Sequence, residues 1–412
     1  MAARALSALR GSEAVRGAWR VFWPTRTAVV LVAMFAALSF GPATGGLAQT
    51  NARKFDVPEL THALAPPLLA PLARWDAVWY LSIADSGYAG SEARAAFFPL
   101  YPLLVRGLAT PFGAGPAALL GAAYAVALAA LLGALVLLYR LVSLELGRPL
   151  AAPTLLLLSV FPAALYFGAP YAESLFLLLA VGSFYAARTD RWGWAGACAA
   201  GASATRSAGL LLLVPLAILW WDSARRRPRD LAWLALVPLS LAAYAVYLGV
   251  AEGDAWRFLD IQDAWSRDLA FPLTGAWDGA VAAFDGLRRL LSNQRDVVYF
   301  REAAGDPYRI AAINLMLFGS LTFAVVACVG IFRRLPRAYG AWVAASLVLP
   351  LSFPVGPQPL MSLPRFLAVL FPIFMWLAVW AEERRATVRV AAASALGLGL
   401  FTAQFATWHW IS

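Results

Sequence analysis

The sequence predicts an all-α integral membrane protein, a polytopic bundle of about eleven transmembrane helices in a single domain over residues 1–412. Two observations predict it. The chain is 61% hydrophobic and only 14% charged, where a soluble domain is about 25% charged. Its apolar residues also come in long blocks near the roughly 20 needed to cross a hydrocarbon core as a helix, and the alternating segments of a membrane barrel are absent.

The first block, 27–45, follows a basic stretch ending at Arg26 and precedes the small residues Gly46-Leu47-Ala48. That is also the form of a cleavable signal, but the leader before it is long, so an uncleaved first helix is expected. Further spans are predicted at 114–139, 151–168, 170–187, 192–204, 207–222, 231–250, 310–332, 338–353, 364–381 and 387–408. From Trp192 to Trp221 the chain either crosses twice or forms a re-entrant hairpin with its tip at Thr205-Arg206-Ser207; both return it to the same side.

Arginines set the orientation. With a cytoplasmic N-terminus, 19 of the 33 basic residues, from Arg4 to Arg389, fall in inside segments against seven acids, a balance of +12, while the outside carries −2. Every short basic loop then lies inside, as the positive-inside rule requires. Two long segments remain outside, 46–113 and 251–309. Both mix acids, aromatics and prolines and are expected to fold onto the membrane surface. The net charge of +10 therefore reports topology rather than nucleic-acid binding, and Lys54 is the sole lysine. An Ala- and Arg-rich, nearly lysine-free chain points to a GC-rich bacterium and its cell membrane.

Cys198 and Cys328 each sit inside an apolar block, which suits packing rather than a disulfide or zinc site. The only histidines, His62 and His409, lie on distant segments. No cofactor is indicated; carboxylates alone could hold a divalent cation, with nothing further in the sequence to support one.

Candidate chemistry begins in the first outer segment, in Arg74-Trp75-Asp76-Ala77-Val78-Trp79-Tyr80-Leu81 and, beyond it, Phe97-Phe98-Pro99-Leu100-Tyr101. Asp76 to Asp85 reads as an interfacial helix that Gly87 can stop, with Trp75 and Trp79 sharing a face. Asp76 is either a helix cap or a general base. Glu173, Arg206 and Arg365 lie in or beside spans, all at the outer face. A charge at that depth is costly and marks a functional candidate, although Glu173 and Arg206 could simply pair, and Arg365 could snorkel to the interface. A carboxylate with arginines converging on it suits group transfer from a lipid phosphate, because a planar guanidinium binds phosphate bidentately. A nucleotide donor finds no support, since no Gly-rich phosphate loop is present. In the second outer segment, Gln262, Asp263, Trp265 and Arg267 form a compact polar and aromatic group, able to stack a sugar or to be an ordinary solvated helix.

The order of five pieces resembles the GPI mannosyltransferase 2 (PIG-V) family of GT-C glycosyltransferases: Arg74-Trp75-Asp76 with Gly87-Tyr88; Ala96-Phe97-Phe98-Pro99; Tyr171-Ala172-Glu173-Ser174; Ala204-Thr205-Arg206-Ser207 with Gly209; and, more loosely, Gln262 with Trp265 and Pro364-Arg365. The resemblance implies mannose transfer from a polyprenyl-phosphate carrier to an extracytoplasmic acceptor with inversion. It implies Asp76, Glu173 and Arg206 as catalytic residues, with Arg74, Trp75, Trp79, Tyr80, Phe98, Tyr101, Gln262, Trp265 and Arg365 against the substrates. Where eukaryotic members commonly carry histidine before Gly-Tyr, Trp79 and Ser86 stand here, so the acceptor is expected to be another lipid, a cell-wall glycan or a secreted protein. The competing readings are a polyprenyl-phosphate or lipid transporter, whose inverted repeats are not seen, and a non-catalytic assembly partner.

Overall fold

A computed structural model describes residues 2–40, 70–262, 267, 269–292, 307–355, 358–409 and 411. Its helices, in order, are α1 (Ala2–Phe40), α2 (Asp76–Ser86), α3 (Leu100–Ala109), α4 (Pro116–Glu145), α5 (Ala151–Ser159), α6 (Glu173–Arg188), α7 (Trp192–Ser203) and α8 (Leu213–Asp222). They continue as α9 (Pro228–Ala251), α10 (Pro272–Ser292), α11 (Pro307–Arg334), α12 (Arg337–Leu351), α13 (Leu363–Ala368), α14 (Phe371–Glu383) and α15 (Thr387–Ala406). Among the described residues the one β contact is an isolated antiparallel bridge between Arg267 and Val355.

Helix occupies every predicted stretch, but not as eleven unbroken crossings. Five helices, α1, α4, α9, α11 and α15, are long and apolar enough to span a bilayer, and a bent pair raises the number to six. Backbone chemistry explains the interruptions. The predicted span 151–168 bends by 86° between Ser159 and Pro162, where proline offers no amide to continue the helix. The predicted span 364–381 divides into α13 and α14 just before Pro372. In the 192–222 stretch, α7 has 12 residues and a 3-10 turn, Ser207–Leu212, leads into α8.

Ion pairs sort the connections into two ends. At one end Arg148 meets Glu13, Arg188 meets Glu145, Arg337 meets Asp222 and Arg334 meets Glu383. Tyr339 adds a 3.0 Å hydrogen bond to Glu145, tying α4, α6 and α12 together. All of these residues belong to segments predicted on the inside. At the other end Arg106 donates to the Asp85 carbonyl at 2.8 Å, Arg257 meets Glu92 and Ala270 donates to the Ser352 carbonyl at 2.8 Å. The two-sided pattern read from the arginines is thus a spatial partition.

Arg26 is an exception. Counted with the basic leader, it lies instead within α1, only 3% exposed. Its Nη1 donates to the Ala164 carbonyl at 2.7 Å and its Nη2 to the Ser159 carbonyl at 2.8 Å. The two carbonyls flank the bend, and a guanidinium fork supplies a donor to each at once. α1 accordingly begins well before residue 27.

Candidate active site

The charged residues of the site stand where elements start. Asp76 is the first residue of α2, and Glu173 the first of α6, positions where a helix dipole favours a carboxylate. Arg206 occupies the corner before the 3-10 turn, and Arg365 lies in the short α13. These interruptions bring side chains from four separate segments to one end of the bundle.

Hydrogen bonds show how the sequence pieces interlock. The Tyr171 hydroxyl donates to the Arg74 carbonyl at 2.8 Å and accepts the Asp76 amide at 3.1 Å, so the Tyr-Ala-Glu-Ser piece holds the Arg-Trp-Asp piece. The Trp75 backbone between them has φ +54°, a left-handed conformation uncommon for a bulky residue and one associated with functional sites. The Leu100 amide donates to the Ala204 carbonyl at 3.0 Å, joining the Phe-Phe-Pro piece to the Arg206 corner. Gly209 packs against the end of α7 so closely that a Cβ would lie 2.2 Å from Ser203 N. Only glycine fits that turn, and the turn presents Arg206.

One chain of charge results. Arg206 Nη1 lies 2.5 Å from Glu173 Oε1, Arg365 Nε bonds the same oxygen, and Arg365 Nη1 lies 2.5 Å from Asp76 Oδ2. The Arg365 guanidinium also sits 4.8 Å from the Tyr171 ring centroid and 5.2 Å from that of Tyr166, a cation–π setting that fixes its plane. Arg206 lies 5.3 Å from the Phe366 ring.

A cavity of about 260 Å³ opens beside this chain. Asp76, Arg206, Gln262, Arg267 and Arg365 form its polar wall; Phe176, Trp342, Leu349, Phe353, Met361 and Phe366 are prominent in its apolar one. Tyr80 and Phe98 line it as well. Glu173 does not: it is fully buried under the two guanidiniums, where it orients them. Arg74 stacks on Trp408 at 4.7 Å, Trp75 meets the same ring edge-on, Trp79 stacks on Phe97, and the Tyr101 hydroxyl donates to the Ala123 carbonyl at 3.0 Å. These four stand behind the cavity wall. Trp265 and Asp263 lie outside the described residues. Residues 77 to 84 of α2 are all buried, so the expected interfacial helix is enclosed by protein rather than laid open to headgroups.

Arg267 was grouped with Gln262 in the sequence but not singled out. Its guanidinium lines the cavity and makes a 3.5 Å contact with Gln262 Oε1. Burial lowers its pKa; Asp76 opposes that shift, and Arg365 and Arg206 add to it. The residue is therefore within the field of all three. Among the described residues no group of three or more His, Cys, Asp or Glu side chains could hold a metal ion.

The mannosyltransferase (PIG-V) family matches residues 20–245, more than half of the sequence. The chain belongs to the PIG-V mannosyltransferase family. The matched stretch contains Asp76, Glu173 and Arg206. Gln262, Arg267 and Arg365 lie beyond it and join the site through the fold. No curated protein matches the sequence. Among solved structures, this PIG-V protein is similar to the Archaeoglobus fulgidus oligosaccharyltransferase in its apo form, at a TM-score of 0.48 and 13% identity, covering 94% of this chain and 56% of the other. The archaeal oligosaccharyltransferase AglB of A. fulgidus, in complex with an inhibitory peptide and a dolichol-phosphate, gives 0.45 and 12%, with 94% and 56% covered. The chain thus spans about half the length of these structures. The likeness is loose, and the family assignment rests on the sequence match.

Proposed function

We propose that the protein is a GT-C glycosyltransferase that moves a sugar, mannose, from a polyprenyl-phosphate carrier to an extracytoplasmic acceptor, with Asp76 as general base and inversion at the anomeric carbon. The observation that carries this reading is that Asp76 is the one carboxylate among the described residues lining a cavity that guanidiniums and apolar side chains also line. The apolar wall suits a prenyl tail, the guanidiniums a phosphate, and Asp76 the acceptor hydroxyl.

In the reaction, the acceptor oxygen attacks the anomeric carbon as the bond from that carbon to the phosphate oxygen breaks. Asp76 takes the hydroxyl proton, and the departing lipid phosphate keeps the electron pair, its charge met by arginine. Glu173 is buried behind the arginines, so among the described residues Asp76 alone offers a carboxylate to the cavity, which suits single displacement.

The arginine distribution supports a cytoplasmic N-terminus and a site facing away from the cytoplasm, in a bacterial cell membrane. The acceptor is a lipid, glycan or protein. The test is to incubate the purified protein with polyprenyl-phosphate mannose and candidate acceptors, for the wild type and Asp76→Asn. Transfer by the wild type that the variant loses supports the reading. Movement of polyprenyl phosphate across vesicles without any glycosyl transfer would instead favour the transporter.

A further inference from the structure

Arg267 lies beyond the family match and lines the cavity. Its backbone pairs with Val355, its amide donates to the Gln262 carbonyl at 3.2 Å, and Ala270 bonds Ser352 three residues on. The backbone is thereby anchored beside the end of α12, and the guanidinium lines the cavity.

Charge pairing distinguishes it from the other two arginines there. Arg206 and Arg365 are both bound to Glu173, and Arg365 to Asp76 as well. Arg267 has no carboxylate within ion-pair distance among the described residues. Among the described residues, three guanidiniums thus meet two carboxylates, and Arg267 is the one not tied to either. Arginine does not shed its proton to relieve this, and an uncompensated charge away from water is costly. An anion relieves it. Recruiting Arg206 or Arg365 to that anion instead would draw away one of the two guanidiniums that Glu173, fully buried, shares.

We infer that Arg267 is the anion-binding residue of the cavity and takes the phosphate of the lipid-phosphate donor. The inference rests on the transferase reading for the identity of the lipid. Arg267's planar fork can grip two phosphate oxygens while Gln262 steadies it from the side. The prenyl chain then runs along Phe353, Leu349 and Trp342.

The test uses full-length protein in detergent, titrated with a polyprenyl phosphate, the parent polyprenol and inorganic phosphate, with thermal stabilisation as the readout and no acceptor present. Wild type is expected to bind the lipid phosphate far more tightly than either partial ligand. Arg267→Gln should weaken that binding about 10- to 100-fold, the worth of a charged hydrogen bond. Arg267→Lys, which keeps the charge and loses the fork, should fall between, and it carries the comparison should the glutamine variant fail to fold. Equal affinity in wild type and both variants overturns the inference. So does equal binding of polyprenol, which would mean a tail site, or of inorganic phosphate, which would mean a free-anion site. Binding of polyprenyl phosphate through Arg267 without sugar transfer by the wild type would leave this inference standing and sink the transferase reading.

Discussion

Arg365 joins Asp76 to Glu173: Nη1 lies 2.5 Å from Asp76 Oδ2, while Nε bonds Glu173 Oε1. Asp76 therefore meets the cavity with one oxygen held and Oδ1 free of hydrogen bonds among the described residues. That free oxygen is the one an acceptor hydroxyl can reach. Asp76→Asn keeps the shape and loses the base, and should lower turnover about 10²- to 10⁴-fold. Arg365 keeps its bond to Glu173, so the melting temperature should change little. Initial rates and thermal unfolding measured on one preparation decide it; full activity would place the base elsewhere.

Glu173→Gln should act on stability first. It leaves two buried guanidiniums without their shared counter-charge, a loss of about 3–5 kcal/mol for a broken buried pair. The expected result is a marked fall in melting temperature and in monodisperse yield after extraction. A variant as stable as wild type but inactive would give Glu173 a direct part in the chemistry.

Arg26→Met removes the donors that serve Ser159 and Ala164 at the 86° bend. Each stranded carbonyl costs about 1–3 kcal/mol, so the melting temperature should drop. Affinity for polyprenyl phosphate, measured below the new melting point, should stay within a few-fold of wild type.

Gly209→Ala places a Cβ 2.2 Å from Ser203 N, which forces the corner apart and moves Arg206. We expect activity to fall at least about tenfold, in line with a misplaced catalytic group. Gly121→Ala is the matched control: its Cβ meets nothing within 4 Å, and helix propensity favours the change slightly.

Sidedness is tested with single cysteines at the exposed Ala89 and Ala224, in a background lacking Cys198 and Cys328. A membrane-impermeant maleimide applied to intact cells should label position 89 and spare 224. The reverse would invert the proposed orientation, and labelling of both would dissolve the two-ended arrangement.

Much of this architecture was legible in the sequence because lipid imposes simple rules. Arginine pairs such as Arg337 with Asp222 and Arg334 with Glu383 lie at one end, as loop counting required. Glu173, Arg206 and Arg365 stood out because charge is rare at such depth, and Asp76 through the Arg-Trp-Asp piece of the outer segment; the fold brings the four together. Hydropathy failed where a partner decides the outcome. Arg26 looked like one more leader arginine, since nothing in its own surroundings announces two carbonyls more than 130 residues away. Arg267 sat in a polar stretch that resembles any solvated loop. Trp75 and Trp79 read by their spacing as one face of an interfacial helix, whereas Trp408 past α15 and Phe97 pack against their rings.

The Arg26 fork also bears on the order of assembly. Until α1 docks, the bend after α5 would expose bare carbonyls to lipid, which tolerates none. α1 precedes α5 in the chain, so it is synthesised first and can already be in the bilayer when the bend arrives. The fork thus ties the kinked hairpin to a helix made earlier in the chain.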